Sequence, residues 1–273
     1  MAQPIITLMS DFGEGSPYVA QMKGALLQVC RNARLFDITH SITPQAIREG
    51  ALVWRDAAPM FPPGTIHVGV VDPGVGTERP IVAARIDGSH YIGPDNGLFD
   101  QLIEEGRDEG MEAVRVTDTR FWRSAVARTF HGRDIMAPVA GHLGRGAALR
   151  DLGPPTRLVR RLDWPNVTQQ GHALRGEVVY VDRFGNLISN IRRETLEETF
   201  GHVGGLVVRL EGRMIGPVRG AYAEVEPGQP VALLGSNDRL EVAVANGSAA
   251  QALEAGEGAV VQVSSSSKSQ DDS

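Results

Sequence analysis

The sequence is poor in the features that mark several large protein classes. It has one cysteine, Cys30, among 273 residues. That excludes a disulfide framework and a thiolate metal cluster, and it points to a reducing compartment. Basic charge is in deficit, with 27 Lys and Arg against 33 Asp and Glu, so the net charge is -6 and the pI about 5.7. Such a balance offers no footprint for nucleic acid and no attraction to an anionic membrane surface. No apolar run approaches the roughly 20 residues of a membrane span. The N-terminus lacks a basic segment followed by a cleavage site, and the expected location is the cytoplasm. None of the 7 histidines belongs to an H-x-x-x-H or H-E-x-x-H pair, so no metal site is expected. The loop from Asp72 to Arg79 holds two closely spaced glycines but neither Gly-Lys-Ser/Thr nor G-x-G-x-x-G, which argues against a phosphate cradle.

What is present is a change of pattern along the chain. The length allows two domains or one large α/β domain. An apolar run at 5–9 reads as a buried strand. Ser16-Pro17 then supplies a cap and a first-turn proline for a helix carrying Val19, Met22, Ala25, Leu26 and Val29 on one face. A second strand is expected at 34–38. Thr43-Pro44 signals a helix through Ile47, Ala51 and Trp54, stopped by Pro62-Pro63-Gly64. Strands at 65–71 and 81–86, a helix around 98–105, a strand near Val114 and a helix at about 131–143 follow. This predicts an α/β fold with a mostly parallel sheet flanked by helices. Past Leu152-Gly153-Pro154-Pro155 the helical period fades. Short β-rich runs appear at 177–181, 187–191, 206–210, 230–234 and 240–245. The reading is an N-terminal domain over 1–164, a linker over 165–171, a smaller β-rich domain over 172–263, and a polar, disordered tail over 264–273.

Ligands of open α/β sheets bind beyond the carboxyl ends of the strands. Asp11 follows the first strand and Asp72 the third, so the two carboxylates would line one crevice if those strands are neighbours. Ordinary turn chemistry is the competing explanation for each aspartate alone. His131, in Phe130-His131-Gly132-Arg133-Asp134, precedes a helix, where capping is the plain alternative.

Five motifs occur in order: Ser10-Asp11-Phe12-Gly13, Val71-Asp72-Pro73-Gly74-Val75-Gly76 with Arg79, Gly93-Pro94-Asp95-Asn96-Gly97-Leu98, Phe130-His131-Gly132-Arg133-Asp134, and Asp182-Arg183-Phe184-Gly185-Asn186. Together they resemble the SAM hydroxide adenosyltransferase family, the hydrolase branch related to the fluorinase and chlorinase enzymes, over residues 5–263. The resemblance implies hydrolysis of S-adenosyl-L-methionine (SAM) to adenosine and L-methionine without a cofactor. It also implies a C-terminal β-barrel-like domain, and a homotrimer with SAM sites between the N-terminal domain of one subunit and the C-terminal domain of the next. Matched motif by motif, Asp72, Arg79 and His131 correspond to the water-activating trio. Asp11 corresponds to the residue that holds the ribose hydroxyls and Asn186 to an adenosine contact, with Phe184 packing on the ligand. Asp182 and Glu241 correspond to groups near the methionine ammonium, Ser236 to a contact of the amino acid end, and Val244 to a backbone contact of adenine. A hairpin turn at 182–186 and an exposed strand position for Glu241 are the structural alternatives.

The implied reaction suits these residues. A sulfonium makes ribose C5′ electrophilic and leaves as a neutral thioether, so the protein must supply a positioned and partly deprotonated oxygen nucleophile. Two further readings stay open. A non-catalytic SAM or adenosine sensor would not require the trio, and a SAM-dependent halogenase would have to place a halide beside the carboxylate of Asp72. Ser16 and Gln45 depart from the family pattern, where an acidic residue and, in the fluorinating relatives, a tryptophan stand.

Overall fold

Residues Ile5–Ser10 (β1) and Ile66–Val70 (β3) are nearly continuous apolar runs, and almost every position in them is buried. Such runs suit inner strands covered on both faces. The computed structural model describes residues 3–103, 111–157 and 161–265. They divide into two compact units, Met1–Leu162 and Asp163–Ser273.

In the first unit β1 and β3 pair in parallel. The remaining strands are Arg34–Thr39 (β2), Ile81–Ile86 (β4), Ser89–Pro94 (β5) and Glu112–Arg115 (β6). The order is β2-β1-β3-β5-β4-β6. The first four run parallel, whereas β4 is antiparallel to both of its neighbours. The sequence reading contains no strand at β5, which inserts between β3 and β4.

Helices cover both faces. Pro17–Val29 (α1) starts as its cap signal requires, with the Ser16 hydroxyl accepting from the Tyr18 N–H at 3.3 Å. Met22 and Leu26 of α1 join Ile6, Leu8, Val68 and Val139 in one apolar cluster. On the other face Trp54, from helix Ile47–Ala57 (α2), packs with Met9, Val71, Val82 and Tyr91. Trp54 is fully buried, and truncating so large a side chain costs about 3–5 kcal/mol.

Two helical expectations are corrected. The second helix begins at Ile47 rather than at Thr43-Pro44, because Gln45 adopts a left-handed backbone with φ +67° that no α-helix accommodates. No helix forms over 98–103: Gly97, at φ +106°, leads into successive turns. Residues 104 and 105 of that expected helix lie outside the described residues. The helix expected at about 131–143 is a π-helical turn, Gly132–Met136, followed by Ala137–Gly144 (α3).

The second unit is a closed barrel. Its strands are Thr168–Gln170 (β7), Ala173–Val181 (β8), Leu187–Arg192 (β9), Val207–Leu210 (β10), Arg213–Arg219 (β11), Pro230–Leu234 (β12), Arg239–Val244 (β13) and Val260–Ser264 (β14). Two short helices, Arg193–Phe200 (α4) and Ala249–Ala252 (α5), interrupt them. Seven strands close the ring in the order β14-β10-β11-β12-β13-β9-β8, with β14 pairing back onto β8. Alternate residues of β9 and β14 point inward, as a filled barrel requires. Leu187, Ile191, Val208, Leu240, Val242 and Val261 are among its core. The strand β7 lies inside the stretch 165–171, and β14 extends to Ser264. Residues 266–273 of the polar tail lie outside the described residues.

Candidate active site

Because β1 and β3 are parallel neighbours in the register Ser10 to Val70, Asp11 and Asp72 follow the carboxyl ends of adjacent strands. Both line a cavity of about 280 Å³, together with Phe12, Gln45, Phe130 and His131. The amide of Asn96 donates to the Val71 carbonyl at 2.8 Å, which pins the chain just before Asp72.

His131 is delivered by a different device. Pro138 has no N–H to donate four residues back, so the carbonyl of Asp134 is left without its helical partner. The Arg123 N–H fills that position at 2.9 Å. The fully buried Asp134 carboxylate gathers the same loop, accepting from Arg133 Nε at 2.7 Å, Arg133 Nη2 at 2.8 Å and the Ala127 N–H at 2.9 Å. Burial alone would raise its pKa, but the Arg133 and Ala127 hydrogen bonds outweigh that and hold it below the usual carboxylate range. The π-helical turn and this anchor together set His131 at the cavity wall.

Arg79 joins the other two members of the trio. Its Nε donates to Asp72 Oδ1 at 2.8 Å and Oδ2 at 3.0 Å, and its Nη2 donates to Asp72 Oδ2 as well. The same Nη2 lies 3.0 Å from His131 Nδ1. The Arg79 and Asp72 side chains are only 6% and 5% exposed. A guanidinium has no acceptor, so Nδ1 of His131 must accept, and the neutral ring carries its proton on Nε2. Burial and the Arg79 charge depress the His131 pKa, outweighing Asp72 and Asp134, and this favours the neutral form. Asp11 is held separately: its Oδ2 accepts the backbone N–H of Gln45 at 2.8 Å. The left-handed turn at Gln45 is what aims that N–H at Asp11.

The barrel unit has its own cavity of about 410 Å³, lined by Phe184, Asn186, Tyr222, Val244, Asn246 and Gly247. Asp182 closes the turn beneath it, with Oδ1 accepting from the Phe184 and Asn186 backbone N–H groups and Oδ2 from Asn186 Nδ2, all at 2.9 Å. Glu241 is buried in β13 rather than exposed, and it accepts a short hydrogen bond from the Tyr222 hydroxyl. Burial raises the Glu241 pKa, the Tyr222 bond opposes this, and the nearby Asp182 charge adds to the rise. The Tyr222 hydroxyl is itself pushed up, by burial first and then by Glu241. Ser236 is exposed in the turn between β12 and β13 and follows Gly235, where an added Cβ would meet the Glu241 carboxylate. Tyr222 and Asn246 are cavity residues that sequence reasoning missed. Tyr222 sits in Gly220-Ala221-Tyr222-Ala223, which carries no motif and reads only as a loop.

Among the described residues no group of three or more His, Cys, Asp or Glu side chains is placed to hold a metal ion, and no helix is long and apolar enough to cross a membrane.

A parallel-type sheet with acidic residues at its strand ends, joined in one chain to a seven-stranded barrel with an aromatic and amide cavity, defines a two-unit ligand-binding class. Within it the chain belongs to the SAM hydroxide adenosyltransferase family: the family's N-terminal domain matches residues 6–153 and its C-terminal domain residues 176–262. It is 40% identical to the (R)-S-adenosyl-L-methionine hydrolase of Thermus thermophilus, covering 94% of this chain and 98% of that one. A second protein of that name, from Salinispora tropica, is 36% identical over 92% and 94% of the two chains. The fluorinase of an Actinoplanes species is 32% identical over 88% and 90%. A solved structure of an uncharacterized conserved protein from Thermotoga maritima superposes with a TM-score of 0.86 at 30% identity, covering 95% of this chain and 99% of that one.

Proposed function

We propose that this protein hydrolyses SAM to adenosine and L-methionine, with Asp72, Arg79 and His131 activating the attacking water. The observation that carries the reading is Arg79 bridging Asp72 and His131 at the wall of a cavity that Asp11 also lines.

A carboxylate offers about four lone-pair directions. Arg79 brings two N–H groups to Asp72, with the Nε–H shared between both oxygens and Nη2 on Oδ2, which leaves a lone pair on Oδ1 for a water proton. His131 Nδ1 is taken by Arg79, so its Nε2–H is the group free to donate to the water oxygen. In this arrangement His131 holds the water and Asp72 accepts the proton. The oxygen forms a bond to C5′ as the C5′–S bond breaks, and that electron pair neutralises the sulfonium to give methionine. The thioether leaves without needing a proton. Positioning the water in line can supply roughly 7–11 kcal/mol of the barrier. Asp11 supports the reading as a grip on the ribose hydroxyls. In the barrel unit, Asn186, Phe184 and the backbone at Val244 suit the nucleoside, and Asp182 and Glu241 the ammonium. Ser236 is assigned to the amino acid end by the resemblance.

A halogenase would have to hold a halide beside the Asp72 carboxylate, where the neighbouring Arg79 is already committed to Asp72 and His131. A sensor would have no use for the bridged trio. The curated relatives named above as hydrolases specify the (R) sulfonium, and we extend that epimer to this chain. The homotrimer with intersubunit active sites and the cytoplasmic location belong to the same proposal.

The test is incubation of purified protein with each SAM epimer, with adenosine followed by chromatography in low and in concentrated chloride. Adenosine and methionine in equal amounts, from the (R) epimer and indifferent to chloride, are expected. SAM recovered unchanged would establish the sensor, and a 5′-chloro nucleoside the halogenase. Sedimentation of the same sample tests the trimer.

A further inference from the structure

Ser10 and His40 are buried polar side chains, 1% and 2% exposed, that the chemistry above does not use. The Ser10 hydroxyl and His40 Nδ1 are 2.7 Å apart. On the other side of the ring, His40 Nε2 lies 3.1 Å from Asp37 Oδ1 in poor hydrogen-bond alignment. Lys23 Nζ donates to Asp37 Oδ2 at 2.6 Å. A polar line thus runs from α1 through β2 to the last residue of β1, whose chain neighbour is Asp11.

The backbone of His40 is tied to the same turn. Its carbonyl accepts from the Gly13 N–H at 2.7 Å, and its N–H donates to Glu14 Oε1 at 3.3 Å. Ser41 adds its hydroxyl to Glu14 at 3.2 Å. The Ser10–Glu14 turn is therefore fastened at both ends to residues 40 and 41, and Asp11 lies between the fastenings. Asp37 is held in its charged form. Burial opposes ionisation, but the Lys23 hydrogen bond and the nearby Lys23 and His40 side chains outweigh it. The line is thus anchored by a charged pair.

We propose that His40 is a positioning residue: through its side-chain bond to Ser10, beside its backbone ties to the Gly13 N–H and the Glu14 carboxylate, it fixes Asp11 for a two-point grip on the ribose 2′- and 3′-hydroxyls, and so sets the preference for ribose over 2′-deoxyribose nucleosides. This rests on the reading of Asp11 given above. Two short hydrogen bonds to a diol tolerate little displacement, because strength falls steeply with distance and angle. A loosened turn keeps the carboxylate but loses the second bond.

The test measures Kd for adenosine and for 2′-deoxyadenosine, together with KM and kcat for SAM. His40→Leu and Ser10→Ala remove the side-chain link and leave the main-chain ties of residue 40 in place. His40→Asn keeps a polar atom near the Nδ1 position, and Asp11→Asn tests the grip itself. Expected is a fall of about tenfold in the ribose preference of His40→Leu, the worth of one good hydrogen bond. The KM for SAM should rise while kcat changes less, and His40→Asn should recover most of the preference. The His40→Leu/Asp11→Asn double variant should be no worse in preference than Asp11→Asn. Equal weakening of both nucleosides in His40→Leu, with the preference intact, would reduce His40 to a structural part and overturn the proposal. If Asp11→Asn itself left the preference unchanged, the ribose reading of Asp11 would fail and the proposal with it. Should His40→Leu not fold, Ser10→Ala, a smaller change, reports the same ratio.

Discussion

A Cβ placed on Gly76 would lie 2.5 Å from the carbonyl oxygen of Arg128. The loop that carries Asp72 and Arg79 thus meets the loop that leads to His131 backbone to backbone, and Gly76 reaches that approach at φ +79°. Only glycine combines the contact with the conformation. The Gly76→Ala variant is expected to lose more than about 1 kcal/mol of stability. Its kcat should fall at least about tenfold as Arg79 is displaced from His131. Thermal unfolding and single-turnover kinetics check both, and wild-type kcat would show that the loop contact does not matter.

Arg79 uses the flat fork of a guanidinium to hold a carboxylate and an imidazole at once. Lysine keeps the charge but not the fork. Arg79→Lys is expected to lower kcat by about 10²-fold, on the scale of losing one preorganised electrostatic group. KM for SAM should change far less. A kcat within a factor of a few of wild type would mean that charge alone suffices.

The acid limb of turnover should report His131. Its pKa is depressed below 6.5 by burial and Arg79, so the neutral ring persists through neutral pH and is lost only in acid. The profile of kcat is expected to be flat from about pH 8 to 6.5 and to fall below that. An acid limb centred above pH 7 would contradict the assignment.

His67, fully buried in β3, makes a second pH prediction, this one about folding. Its Nδ1 lies 2.8 Å from Thr7 Oγ1 and its ring stacks on Tyr91. Burial lowers its pKa from 6.5 to about 4. The unfolded chain therefore binds the proton first, so stability is complete above pH 6.5 and drains away as the pH falls toward 4. A depression of this size corresponds to about 3 kcal/mol. Urea unfolding at pH 7 and pH 4.5 should show the loss, and His67→Gln should flatten it.

Much of the fold was legible because its signals are local. Ser16-Pro17 starts α1 where it should, and the apolar runs at β1, β3 and β4 find their strands. The failures are tertiary. Gln45 is turned left-handed with its N–H on Asp11, which delays α2. At the Leu98 stretch, Gly97 leads into turns rather than a helix. For the site, Asp72 and Arg79 are seven residues apart in one loop, but His131 is 52 residues beyond Arg79 and meets it only through the fold. Tyr222 carries no sequence signal, since its role comes from reaching Glu241 across 19 residues.

The central claim is that solvent oxygen, held by His131 and deprotonated by Asp72, attacks C5′ of SAM. Turnover in ¹⁸O-labelled water tests it most directly. Mass spectrometry should find one label in the 5′-hydroxyl of adenosine and none in methionine, with the rate at which labelled adenosine forms falling sharply in Asp72→Asn. Unlabelled adenosine, or label in methionine, would contradict the account.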